Sequence, residues 1–182
     1  MRTRRSATYL LLACAVLGAA RARAEELRVE IQLAFTGTST LHAFEGTGAP
    51  VAASLTHAGD GTWSAEASVA VADLDTGNGW RDASMRTMFD AGRHPRIQAR
   101  VRGVDPERVR ETRTLPFALR IRDVELPLEA HITQWRQSER RASFVAEFDV
   151  SLAAFGLAAP QGFFLSVGDS VHVSVRVQLE RT

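Results

Sequence analysis

The chain has 182 residues, of which 45% are hydrophobic and 24% charged, with 22 basic side chains against 21 acidic ones. Such a length and apolar content suit one domain with a core of its own, and the near-balance of charge removes the attraction that drives nucleic-acid binding. The only cysteine is Cys14, so no disulfide can form within the chain.

Residues 1–24 read as a secretory signal peptide. MRTRR is a basic leader start, ATYLLLACAVLGA is an apolar run shorter than the roughly 18 residues of a membrane span, and ARARA ends in a small-x-small pattern that places cleavage after Ala24. LLAC, ending at Cys14, is loosely similar to a lipidation site, but cleavage there would leave an apolar region of only about eight residues. Ordinary export is therefore the expectation. Processing removes five arginines and no acid, which leaves 17 basic against 21 acidic residues, a net charge of −4, and no cysteine. The mature domain, residues 25–182, is expected to be periplasmic or secreted, with no disulfide, no stable membrane span and no nucleic-acid partner.

From there the chain alternates. In LRVEIQLAF, residues Leu27, Val29, Ile31, Leu33 and Phe35 fall on one face, the signature of a half-buried antiparallel strand. STLHAFEGTG reads as a second strand closed by glycines, and PVAASLTHAGDGTW as a hairpin turning at GDG. Trp63, Ala65, Ala67, Val69 and Val71 repeat the period. Ile97, Ala99 and Val101 resume it after an interruption, with a turn expected at GVDPE. Phe117, Leu119 and Ile121 share a side, as do Val124, Leu126, Leu128, Ala130 and Ile132, where Pro127 points to an edge or a bulge. Phe144, Ala146, Phe148, Val150 and Leu152 form a further face, and Val171 to Leu179 the last. About eight or nine strands with little helix predict an antiparallel sandwich or barrel, and a barrel of about eight strands can hold one small ligand. Several inward candidates are small (Ala65, Ala67, Ala99, Ala130 and Ala146), which leaves room inside.

The interruption, LDTGNGWRDASMRTMFDAGRHPRIQ, breaks this rhythm. Thr76-Gly77-Asn78-Gly79 forms a turn, Trp80 to Asp90 a short helix, and His94-Pro95 ends it. Trp80, Met85, Met88 and Phe89 recur at roughly helical spacing. A Met-bearing helix over a barrel mouth can pack adaptable side chains against an apolar ligand, or it can plug the barrel end as ordinary core. Arg81-Asp82 has two readings as well: a charged rim facing a ligand head group, or a local pair locking the turn.

The same stretch resembles a known family. D-T-G-N-x-x-R-D (Asp75, Thr76, Gly77, Asn78, Arg81, Asp82), a Met-bearing turn with Met85, and Phe89-Asp90 with a basic residue ahead of Pro95 are similar to the central signature of the YceI-like family. STLHAFEGTG resembles the family's early strand, and FDVSLAAFGL with VGDSVHVSVRVQL its last strands, so the likeness runs from about residue 27 to 180. The resemblance implies an exported, lipocalin-like barrel around a long isoprenoid-type lipid. Ser84 stands where many members carry histidine, and Leu152 where many carry arginine. Both departures remove polar head-group candidates and leave the apolar tunnel argument intact.

Catalysis is not expected. The mature chain lacks a cysteine and a G-x-S-x-G elbow, and His42, His57, His94, His131 and His172 never stand at ligand spacing. Asp73 and Asp75 are most simply the start of a turn. The sequence thus predicts an all-β, lipocalin-like antiparallel β-barrel of about eight strands with a short helix inserted in the middle. Its expected role is to sequester or carry a polyisoprenoid or quinone-like molecule, with no other cofactor and no metal. His42, Phe44, Asn78, Arg81 and Asp82 are placed near the mouth, Met85, Met88 and Phe89 in the cap, and Phe148 and Phe155 along the lipid. A homodimer through an edge or opening is compatible with this plan. The alternative is a non-enzymatic cell-envelope interaction module built on a filled barrel.

Overall fold

The structure, a computed structural model, describes residues 27–39, 43–58, 60–158, 161–162 and 165–181. The leader (residues 1–24) and His42 lie outside the described residues. Among the described residues, eleven strands and two α-helices follow one another: β1 (Leu27–Ser39), β2 (Ala43–Gly48), β3 (Val51–His57), β4 (Trp63–Ala70), β5 (Leu74–Asp75), α1 (Gly79–Met88), β6 (Arg96–Val104), α2 (Pro106–Thr112), β7 (Thr114–Ile121), β8 (Val124–Gln137), β9 (Arg141–Ser151), β10 (Gln161–Gly162) and β11 (Leu165–Arg181). All strand pairs are antiparallel, in the order β3-β4-β6-β7-β8-β9-β11-β1-β2-β5, with the short β10 on β11. The count exceeds the expected eight or nine because β5 and β10 are two-residue pieces that no alternation could reveal.

The sheet curls on itself as a barrel. β1 pairs β2 through its second half, from Leu33↔Gly48 to Thr38↔Ala43, and β3 then lies against β1 without a backbone ladder among the described residues. A seam therefore runs where the first and last walls meet. The longest ladder, from Leu27↔Arg181 to Gly37↔Val171, joins the two ends of the domain and keeps the inward faces of β1 and β11 together. Cross-strand packing tightens the β1–β2 corner: the Phe44 ring covers Gly37 and the Phe35 ring covers Gly46. Glycine is needed there because the ring occupies the space of a side chain.

The core follows the predicted faces. Ile132 and Ala130 are 1% exposed, Ile121 3% and Val150 5%, each apolar side chain of Ile or Val size contributing roughly 1.5–3 kcal/mol when fully buried. Pro127 pairs with Ala118 on β7, while the β8–β9 ladder begins only at His131↔Glu147, so the proline's other side has no partner strand among the described residues. That is the edge-like position a residue without an N–H requires. At GVDPE, the expected turn proves to be the start of α2: Asp105 accepts a hydrogen bond from the Glu107 N–H at 2.9 Å, with Pro106 in the first helical turn.

Candidate functional site

The inward faces enclose an apolar cavity of about 610 Å3. Along β11 its wall is Val171, Val173, Val175, Val177 and Leu179, and along β1 it is Val29, Ile31, Leu33 and Phe35. Strict alternation produces this wall, since residues two apart point the same way and the intervening Arg28, Glu30, Gln32, His172, Arg176 and Gln178 stay exposed. Ala65, Ala67, Ala99, Ala130 and Ala146 all line the cavity, as their size led one to expect. The ladders align three alanines across one wall: Ala53 pairs with Ala67, and Ala67 with Ala99. Phe117 and Phe148 meet edge to face at 4.8 Å between ring centroids, and both border the space.

Helix α1 stands at one mouth. Its start is set by Asn78, whose Oδ1 accepts hydrogen bonds from the Trp80 and Arg81 N–H groups at 3.1 and 3.2 Å. Met85 and Phe89, one turn apart, are buried and face the cavity, while Met88 is half-buried beside them. The helix is thus cap and core together: Met85 and Phe89 belong to the main cluster, and the same side chains close the apolar space. Trp80 departs from the spacing that grouped it with the methionines. It is 89% exposed and stands on the rim.

Arg81 and Asp82 separate. The Arg81 guanidinium lies 4.5 Å over the Phe44 ring at the mouth, a cation–π contact that holds it against the apolar wall. Asp82 turns inward, is 7% exposed, and its Oδ1 accepts hydrogen bonds from the Thr76 N–H at 3.0 Å and the Thr76 hydroxyl at 2.7 Å. Asp82 therefore locks the turn before the helix and does not line the cavity, and it forms no pair with Arg81. Phe155 is also set apart. It is 2% exposed on a 3-10 turn (Ala153–Phe155), packed in the core rather than along the cavity. Asp169 of β11 fixes that turn, accepting from the Ser151 hydroxyl at 2.6 Å and the Ala153 N–H at 2.7 Å. These two hydrogen bonds hold the Asp169 carboxyl below its ordinary pKa.

Of the ten residues expected at the site, Phe44, Asn78, Arg81, Met85, Met88, Phe89 and Phe148 line the cavity. Sequence reasoning left out Trp80 and Ser84 at the rim and Leu152 in the wall. The two family departures both sit here: the Ser84 hydroxyl donates to the Trp80 carbonyl at 2.9 Å, and Leu152 is 4% exposed among apolar neighbours. The described histidines do not converge. His94 lies 3.5 Å from Asp123, His172 lies 2.9 Å from Asp149, and among the described residues no three His, Cys, Asp or Glu side chains group as a metal site. Among the same residues, no helix is long and apolar enough to cross a membrane.

A profile described as YceI-like domain matches residues 22–179. The chain belongs to the YceI-like family. Solved structures place this YceI-like chain on the same fold: BcnA from Burkholderia cenocepacia is similar at a TM-score of 0.66 and 15% identity, over 81% of this chain and 95% of that one. A polyisoprenoid binding domain from Saccharophagus degradans, implicated in plant cell wall breakdown, is similar at a TM-score of 0.61 and 14% identity, over 86% of this chain and all (100%) of that one. The Campylobacter jejuni YCEI protein follows at 0.57 and 14%, over 75% and 84%. No curated protein matches the chain in sequence.

Proposed function

We propose that this YceI-like protein is an exported, non-catalytic carrier that holds one long apolar molecule, of polyisoprenoid or quinone-like chemistry, inside its barrel. The observation that carries this reading is the cavity itself, about 610 Å3 and bounded by the inward side chains of nearly every strand. Its volume lies within the roughly 300–1,000 Å3 of small-molecule sites. From Val171 to Leu179 the lining runs along about 26 Å of strand, a shape for a chain rather than a compact solute. Burial of apolar area at roughly 25 cal/mol per Å2 is enough to hold such a chain with few polar contacts. The Saccharophagus degradans neighbour, a polyisoprenoid binding domain, supports the same ligand class.

Export rests on the leader-like residues 1–24. Support for a non-catalytic role comes from polar groups at the mouth that are already engaged: Asn78 caps α1, Arg81 lies over Phe44 and Ser84 bonds the Trp80 carbonyl. The cavity favours this reading over an interaction module built on a filled barrel.

Mass spectrometry of an organic extract from the exported, purified protein tests the proposal, with Met88→Glu beside the wild type. A stoichiometric isoprenoid or quinone in the wild type, reduced in the variant, is the expected result. A clean extract with no uptake of apolar dyes by either protein overturns it.

A further inference from the structure

An apolar cargo has to come from somewhere, and the rim of the cavity carries a feature that the cavity does not need. Trp80 is 89% exposed, the one exposed large hydrophobic side chain among the described residues, and it borders the mouth. A tryptophan that served only to hold the tail would turn inward, as Met85 and Phe89 do. The first turn of α1 projects it outward instead, because Asn78 caps the helix there and Asp82, two residues on, is the side chain drawn inside.

The charge on this helix points the same way. The acid of α1 is buried against Thr76, so the helix shows solvent its arginines: Arg81 at the rim, half-buried over Phe44, and Arg86, exposed and without an ion pair among the described residues. An exposed indole with one guanidinium next to it at the rim and another exposed farther along the same helix is a combination that suits a bilayer interface, the ring among the head groups and the cations against anionic phosphates.

We infer that the α1 mouth is a bilayer-docking surface, with Trp80 as the inserted side chain and Arg81 and Arg86 as its contacts to anionic lipid. The inference rests on the carrier reading above and adds its route: the cargo passes between barrel and membrane through the α1 mouth, without crossing water.

Co-sedimentation with vesicles tests this, using phosphatidylcholine alone and phosphatidylcholine mixed with phosphatidylglycerol. The exported protein is compared with Trp80→Ala and with Arg86→Glu, so that any N-terminal segment is common to all three. Wild type is expected to bind the mixed vesicles at least about tenfold more tightly than Trp80→Ala, as loss of a buried indole implies. Its fluorescence is expected to be quenched by bromine-labelled lipid chains, and Trp80→Ala to lose that quenching although Trp63 and Trp135 remain. Arg86→Glu should weaken binding to the mixed vesicles and leave binding to neutral ones unchanged. Equal binding by wild type and Trp80→Ala, or no binding by wild type, overturns the docking surface. The organic extract is measured on the same preparations. Extracted lipid without vesicle binding defeats docking and spares the carrier; Trp80-dependent binding without extractable lipid defeats the carrier and leaves the docking surface standing.

Discussion

A Cβ added at Gly46 would lie 2.3 Å from Cζ of Phe35, and one at Gly37 would lie 2.4 Å from Cζ of Phe44. These two glycines are missing side chains whose volume the cross-strand rings have taken. Gly46→Ala forces a buried phenyl ring at the cavity wall to move, so it should destabilise the protein by about 1–3 kcal/mol. Urea unfolding measures this, and an unchanged midpoint would show that the Phe35 ring has somewhere else to go. The neighbouring Phe44 ring has a second task, since it carries the Arg81 guanidinium on its face. Adjacent charged residues thus divide the work: Arg81 serves the mouth, while Asp82 satisfies both the N–H and the hydroxyl of Thr76.

Helix α1 divides its apolar residues in the same way. Phe89 is 7% exposed within the core cluster, whereas Met88 is half-buried at the cavity. Phe89→Glu should therefore cost more than about 3 kcal/mol of stability. Met88→Glu should keep the fold and lose most of the bound lipid. Thermal melts beside extract analysis separate the two, and equal stability losses would make α1 a plug. The 3-10 turn at Ala153–Phe155 hangs on Asp169, whose carboxyl is held below its ordinary pKa by Ser151 and Ala153. A group with a depressed folded-state pKa adds stability above its unfolded-state value, and loses it as pH falls through the folded-state value. Asp169→Ala should accordingly melt below wild type at neutral pH, and the gap should close as acid protonates the carboxyl. A gap of constant size down to strongly acidic pH would assign the effect to packing instead.

At the scale of the whole molecule, the barrel gives up core packing to keep a cavity. The alanine row Ala53, Ala67 and Ala99 lies at the middle of one wall, in register across β3, β4 and β6. Ala67→Phe would fill part of that space. Stability of the ligand-free protein should rise by up to about 2 kcal/mol as cavity volume is removed, while apolar dye uptake falls. Opposite signs for stability and binding identify a built cavity; a fall in both would mean the wall cannot take a ring. The seam between β1 and β3 is the other whole-molecule feature, because the two strands lie side by side with no ladder among the described residues. Backbone groups there lack the cross-strand bonds that protect the β1–β11 ladder.

Much of this was legible in the residues. Alternation at period two assigned the inward faces of β1, β9 and β11, because a strand's side chains obey its own pleat whatever it pairs with. The Thr76-Gly77-Asn78-Gly79 turn marked where the helix follows, and the D-T-G-N-x-x-R-D run announced the family. Helix α2 was missed although Asp105-Pro106 signals it, since seven residues are too few for helical periodicity to show. What spacing along the chain could not reach was decided by closure. Trp80 shares helical spacing with Met88 but belongs to the outside, because the turn that buries Asp82 against Thr76 leaves the indole on the rim. Phe155 shares an apolar strand's ending but belongs to the core, because Asp169 folds its turn back. The cavity itself is a volume between strands as far apart in the chain as β1 and β11. Local pattern determines which way each side chain points; only the register that brings distant walls together determines whether their facing side chains meet or leave a space.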